Sequence, residues 1–351
     1  MFKLWYDDLG NRREELIVKI TIKDIAEISG VSTTTVSQIL NNKGQRFSEE
    51  TKRRVMKAVE ENDYNPDYFA KNMINRESKT VGMIVPDVTD LFFSKVIEGV
   101  EAYLTKKDYM ILLCNSNHSN EMEKNYIKQL LNRSVAGVIL ASPNAMELET
   151  SLKSSPYILI DRGINTRVEG NLLVKEYEGS YESVQYLIDA GHKKIGMLTN
   201  ESGYYEMTDR YRAYVQCLKD NKLIYHGEYI EDGPVTIEGG YEAAKRLLER
   251  TDITALCCGN DQMAIGTYRA AYELGLKIPE DLSVIGFDDL EISSYLNPPL
   301  TTVAQPAFEI GYTAATYLFQ SINSPEQKIP NRTFETEFIV RGSTTTVDKK
   351  K

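Results

Sequence analysis

The sequence predicts an α/β protein: three short helices at the N-terminus, then two doubly wound parallel-sheet subdomains. Three observations predict it. Past Lys79, short apolar runs alternate with helix-patterned segments, the signature of parallel sheets. Before that point the apolar spacing is helical throughout, and each helical segment is opened by Ser or Thr. The chain has 351 residues, 42 % of them hydrophobic, enough for two or three domains with real cores.

The head comes first. Thr21 opens a helix at Ile22-Lys23-Asp24-Ile25, with Asp24 placed to complete a capping-box-like arrangement. Ile22, Ile25, Ala26 and Ile28 give it helical spacing, and Gly30 stops it. Ser32 opens a second helix, Thr33 to Leu40, with Val36, Ile39 and Leu40 facing inward. Ser48 opens a third, Glu49 to Glu61, with Val55, Met56 and Val59 on one face. The link Ser29-Gly30-Val31-Ser32 has the length and glycine of a helix-turn-helix turn. Such a trio presents its second helix to the DNA major groove. A generic helical hairpin is the alternative; the exposed Thr, Ser and Gln of the second helix disfavour it.

In the body, strands are expected at Val81–Val85, Tyr109–Cys114, Ala136–Ala141, Tyr157–Ile160, Lys194–Thr199, Ala255–Cys258 and Ser283–Phe287. Helices are expected at Ser94–Lys106, Asn120–Asn132, Ser180–Ala190, Tyr211–Asp220 and Met263–Leu274. Two halves of about 120 residues with a cleft between them suit a body of periplasmic-binding-protein type. An α/β enzyme is the competing reading. No GxGxxG follows a strand, and no GxxxxGK[ST] or Gly-x-Ser-x-Gly occurs. The three histidines, His118, His192 and His226, are scattered, so no catalytic residue, cofactor or metal site is assigned.

The net charge of −10 hides a division. Residues 18–76 carry ten Lys and Arg against eight acids, a net +2, and the residues beyond them carry −11. An acidic total therefore does not argue against a nucleic-acid partner. Cys114, Cys217, Cys257 and Cys258 fit neither zinc nor CxxC spacing, which suits a reducing, cytoplasmic setting. There is no apolar run of membrane-spanning length and no secretory h-region in Met1 to Gly10.

The head string Thr21-Ile-Lys-Asp-Ile-Ala26, Gly30-Val-Ser32, Thr35-Val-Ser37 and Leu40-Asn41 resembles the lactose/galactose repressor (LacI/GalR) family. Tyr64-x-Pro66 and Ala70 fit that family's hinge, and the likeness continues through Ser78–Arg341. The resemblance implies domains at 19–64 (helix-turn-helix head), 65–79 (hinge) and 80–341 (effector-binding and dimerisation body), with an extension 1–18 and a tail 342–351. It implies a sequence-specific repressor, not an enzyme, with operator DNA, a small sugar and a second copy of itself as partners. Thr33, Thr34 and Gln38 would face the groove, with Thr21, Ser32, Thr35, Ser37, Asn41, Tyr64 and Lys71 completing the DNA contacts. Met73 stands where the family has the leucine that wedges into the minor groove.

Loops at strand C-termini should line the cleft. They present aromatic faces with Asp, Asn, Arg and Gln, an inventory suited to a neutral polyhydroxylated ligand. Ribose repressors and ribose-binding proteins carry a matching series. Here it reads Phe92-Phe93 (after Asp90), Asp161-Arg162, Arg210, Asn260, Asp288 and Gln305. The expected effector is accordingly ribose or another pentose. The chain departs from that pattern at Asp90-Leu91, at Val235 or Ile237 for an aromatic, and at Lys175-Glu176 for an Asp-Asn pair. These departures keep a phosphorylated sugar or a nucleoside as alternatives, and a corepressor as the alternative sign of regulation. Residues after Arg341 show no heptads, so a homodimer is expected rather than a tail-assembled tetramer. Arg12-Arg13-Glu14-Glu15 and Val18 admit a GTG start inside the chain; a translated extension is the other reading.

Overall fold

The computed structural model describes residues 20–41, 44–64, 78–142, 152, 155–160, 170–200 and 208–347. The chain divides into two compact units, 1–77 and 78–351.

In the first unit, α1 (Ile22–Ser29), α2 (Thr33–Leu40) and α3 (Glu49–Glu61) enclose a small core of Ile25, Ala26, Val36, Ile39, Val55 and Ala58. The caps explain the boundaries. Asp24 accepts from both the Thr21 N–H and its hydroxyl at 2.7 Å. Gly30 ends α1 at φ +66°, a left-handed conformation that costs glycine nothing. Ser32 and Ser48 accept from the N–H groups of Thr35 and Thr51, each worth about 1 kcal/mol. Two positions expected inside lie outside: Ile28 is 54 % and Met56 51 % exposed. With so few residues, only one stripe per helix meets the others; on α3 that stripe runs through Val55 and Ala58, and Met56 is turned about 100° away.

The second unit holds two six-stranded sheets. The first contains β1 (Thr80–Val85), β2 (Met110–Asn115), β3 (Gly137–Ala141), β4 (Tyr157–Ile160), β5 (Asn171–Val174) and β11 (Arg332–Phe334), in the order β11-β5-β4-β3-β1-β2 and parallel throughout. Around it lie α4 (Leu91–Leu104), α5 (Asn120–Asn132) and α10 (Ala307–Asn323). The second contains β6 (Ile195–Asn200), β7 (Ile230–Gly233), β8 (Ala255–Cys257), β9 (Ser283–Asp288), β10 (Thr301–Ala304) and β12 (Glu337–Ile339), in the order β12-β10-β9-β8-β6-β7. Only β12 runs antiparallel to its neighbour there. Its helices are α6 (Glu176–Asp189), α7 (Asp209–Asp220), α8 (Ile237–Arg250) and α9 (Asp261–Glu273). The near-continuous apolar runs follow from burial on both sheet faces.

The chain passes between the two subdomains after β5, after β10 and after β11. The doubly wound expectation holds, and element ends move by a few residues, as when α4 starts at Leu91 rather than Ser94.

Candidate functional site

The first candidate surface is α2. Thr33 and Thr34 are exposed, as are their neighbours Thr21 and Ser32. Thr35 is tied to Ser32 (Oγ–Oγ1 2.9 Å), and Asn41 Nδ2 donates to the Ser37 carbonyl at 2.9 Å. Both are therefore helix-end fasteners that leave part of their surface open. Gln38 Oε1 accepts from Arg46 Nη2 at 2.7 Å, which fixes its amide, and Arg46 also lies over the Phe47 ring at 5.0 Å. The Arg46–Gln38 link joins α2 to the turn before α3 and had no signal in the sequence. Tyr64 closes the unit through its N–H to the Val59 carbonyl at 3.0 Å. Lys71 and Met73 lie outside the described residues. The face thus offers short hydroxyls, one oriented amide and one arginine, which can meet phosphates and base edges in a groove.

The second candidate site lies in the body, at strand C-termini. Asp90 caps α4, accepting from the Phe92 N–H at 2.9 Å, and is 7 % exposed. Phe92 and Phe93 pack edge to face at 5.2 Å and are almost wholly buried, Phe93 in the sheet core. Asn260 caps α9 in the same way through Met263 N–H at 2.9 Å. Asp288 ends β9 at φ +114° and Asp289 follows at φ +55°. Two successive non-glycine residues in this region are strained, and strain of this kind gathers at ligand sites. The Asp289–Arg341 pair at 2.6 Å holds the turn. Gln305, on the second crossing, donates through Nε2 to Asp288 Oδ1 at 2.6 Å. Its Oε1 is buried and meets no hydrogen-bond donor. Asp161 and Arg162 lie outside the described residues.

Arg210, the second residue of α7, is the centre of this site. Its Nε and Nη2 donate to the two oxygens of Glu176 at 2.9 and 3.0 Å. Nη1 donates to the Gly259 carbonyl, Nη2 stands 3.7 Å from Asp288 Oδ1, and the guanidinium lies 3.7 Å over the Phe287 ring. Burial would lower the Arg210 pKa, but the Glu176 and Asp288 carboxylates outweigh it and raise it, so the group stays charged. Glu176 is the first residue of α6, on the first crossing. The sequence marked it only as a departure; its pairing was not legible.

Asp261, next to Asn260, is fully buried. It accepts from Ser293 Oγ (2.6 Å), Thr302 Oγ1 (2.6 Å) and the Leu290 N–H (2.8 Å). Burial pushes its carboxyl up to about 6, with these three donors pulling the other way. It fastens α9 to the segment that follows Asp288. Phe92, Asp288 and Gln305 reach a cavity of about 1150 Å³, whose wall continues through Leu290, Ile292 and Phe308. Among the described residues no cluster of His, Cys, Asp and Glu could hold a metal ion.

Comparison with known proteins places both parts of the chain in known families. Residues 21–67 match the model of the bacterial regulatory proteins of the lacI family, and residues 184–344 match a periplasmic binding protein-like domain. The HTH-type transcriptional repressor PurR of Vibrio vulnificus is 37 % identical over 331 residues, 92 % of this chain and 97 % of that one. A lac repressor dimer bound to operator and the anti-inducer ONPF superposes with a TM-score of 0.81 at 26 % identity, over 93 % of this chain and 99 % of that one. A LacI family regulator from Enterococcus faecalis with bound ribose gives 0.68 at 31 % identity, over 77 % of this chain and 100 % of that one. The expected special likeness to ribose operon repressors is corrected by these findings. The relatives include PurR repressors and the HTH-type transcriptional repressor CytR of Escherichia coli, 34 % identical over 328 residues, 92 % of this chain and 96 % of that one, and ribose enters through a solved structure.

Proposed function

We propose, for a chain that belongs to the lacI family of bacterial regulatory proteins, that its small-molecule effector is a pentose or a nucleoside bound between the two subdomains. The chain is a DNA-binding transcriptional repressor answering to a small molecule, and not an enzyme. No described helix is long and apolar enough to cross a membrane.

The observation that carries the ligand reading is Gln305. Its amide nitrogen is held by Asp288, so its carbonyl oxygen is committed as an acceptor, and that oxygen is buried without a donor. A buried acceptor left unmet costs about 1–3 kcal/mol. A ligand hydroxyl or N–H recovers that cost. Ribose in the Enterococcus faecalis regulator supports the sugar half of the reading. The nucleoside half comes from the same demand for donors, since a nucleoside carries ribose hydroxyls and a flat base suited to an aromatic wall.

On DNA, Thr33, Thr34 and Gln38 face base edges; Thr21, Ser32, Thr35, Ser37, Asn41 and Tyr64 set register on phosphates. Lys71 and Met73 complete the contact from the hinge. A second copy supplies the other half-site, so that protein symmetry matches operator symmetry. The effector acts by binding one arrangement of the subdomains better than the other.

The test is fluorescence anisotropy on the chain's own promoter, over a salt series and with D-ribose, cytidine and adenosine added in turn. Affinity falling steeply with salt, and shifting with at least one of the three, is the expected result. No shift with any of them refutes the ligand reading.

A further inference from the structure

We infer that Glu176 is the charge selector of the cleft: by occupying the Arg210 guanidinium it restricts the effector to neutral or cationic molecules and excludes phosphate and carboxylate esters or acids. The inference rests on the reading that the cleft between the subdomains holds the effector.

The geometry leaves Arg210 little to offer a ligand anion. Two of its N–H groups go to Glu176 in the two-pronged manner that suits a carboxylate, and a third goes to the Gly259 carbonyl. Its face is covered by Phe287. The side chains involved are enclosed: Arg210 is 12 %, Glu176 5 % and Asp288 1 % exposed. One cation therefore faces two close carboxylates, and Asp90 acts on the same guanidinium from further away. An anionic ligand would have to displace Glu176 and then sit beside Asp288 and Asp90 with little water to screen the repulsion. A donor-bearing ligand meets the opposite situation, because the carboxylates and the Gln305 carbonyl all accept.

Glu176 could instead serve only to pin α6 to α7. The two roles separate on anion binding, because a merely structural pair hides no anion site. Without Glu176, Arg210 becomes a buried cation short of a partner, and an added anion fills the place.

The experiment uses the full-length protein. In the first arm, wild type is titrated with D-ribose against D-ribose 5-phosphate, and with cytidine against cytidine 5′-monophosphate. Whichever parent binds, its phosphate is expected to bind about tenfold or more weakly. In the second arm, Tm is measured with inorganic phosphate at fixed ionic strength. Glu176→Ala is expected to gain about 2–4 °C at phosphate well above its Kd, with wild type unmoved. Glu176→Ala combined with Arg210→Leu should lose the gain, which separates this site from the basic head. If the alanine variant does not fold, Glu176→Gln keeps the packing and should show the same gain to a smaller degree. A phosphate ester binding wild type as tightly as its parent overturns the inference, as does equal stabilisation of wild type and variants by phosphate, or stabilisation of neither. If neither parent binds while the phosphate gain appears, the pentose or nucleoside reading fails and the Glu176 assignment stands.

Discussion

Two buried ionisable residues give the body opposite responses to acid. His192 is 3 % exposed; its Nε2–H donates to the Thr345 carbonyl at 3.0 Å, so its Nδ1 accepts from the Thr254 hydroxyl at 2.8 Å. Burial lowers its pKa, against a smaller raising effect of the Thr345 carbonyl. A depressed folded pKa means that its contribution is complete above about 6.5 and is lost as pH falls through the folded value. Asp261 runs the other way. Its folded pKa of about 6 lies above the ordinary 3.8, so its contribution is present at low pH and is lost as pH rises through about 6. Urea midpoints from pH 7.5 to 4.5 should therefore fall more steeply with acid in Asp261→Asn than in wild type, and less steeply in His192→Gln. Unchanged slopes in both would show that neither group titrates with folding. Asp261→Leu is a separate matter, because it leaves three buried donors without an acceptor. A loss of about 3 kcal/mol or more is expected from urea unfolding. Gly286→Ala should reproduce much of it, since a Cβ there would run into Asp261 Oδ1. The sequence placed Asn260-Asp261 at the cleft but gave no sign of which of the pair faces inward. Its partners Ser293 and Thr302 lie 32 and 41 residues away, beyond any local pattern.

The helix pairs show how far periodicity reaches. The spacing of apolar residues gave eight of the ten described helices nearly in place, because an amphipathic stripe is a local property; α8 and α10 were not among them. How closely two helices approach is not local. On the second subdomain α8 and α9 meet through glycine. A Cβ at Gly240 would strike the Met263 backbone, and one at Gly266 would strike the Ile237 carbonyl and Tyr241 N–H. On the first, Gly99 of α4 and Gly311 of α10 stand in the same relation, against Phe308 and Val96 backbone. Backbone cannot step aside as a flexible side chain can, so an added methyl must push the helices apart. Gly266→Ala is expected to cost about 1–3 kcal/mol in chemical denaturation, although alanine is the better helix former by about 1 kcal/mol. It should also weaken effector binding, because α9 carries Asn260 and Asp261 at its start. A variant as stable as wild type would mean that the crossing is looser than drawn. The head tells the converse story: Ile28 and Met56 fit helical spacing yet lie exposed, because a pattern names a face before any neighbour exists to cover it.

At the scale of the whole molecule, one edge of the first sheet is unfinished. Among the described residues β2 pairs with β1 alone, and Met110, Leu112 and Leu113 are 69 %, 37 % and 41 % exposed. An exposed apolar edge invites association, and soluble proteins guard such edges with charge, proline or a covering partner. Here Met110-Ile111-Leu112-Leu113 holds no charge and no proline. The sequence read this run as a strand and gave no sign that it is an edge, since an edge and a centre differ in their neighbours and not in their composition. A second copy covering it would agree with the two-headed contact proposed above for a symmetric operator. Sedimentation of wild type at micromolar concentration should give a dimer, and Leu112→Lys with Leu113→Lys should give a folded monomer. That monomer keeps its three-helix head, so its weak, salt-dependent binding to arbitrary DNA should persist. Its operator affinity should fall by about a hundredfold or more, because the second half-site then binds as an independent molecule instead of at the high effective concentration a dimer confers. A wild-type monomer, or a double variant that still sediments as a dimer, would move the contact elsewhere on the body.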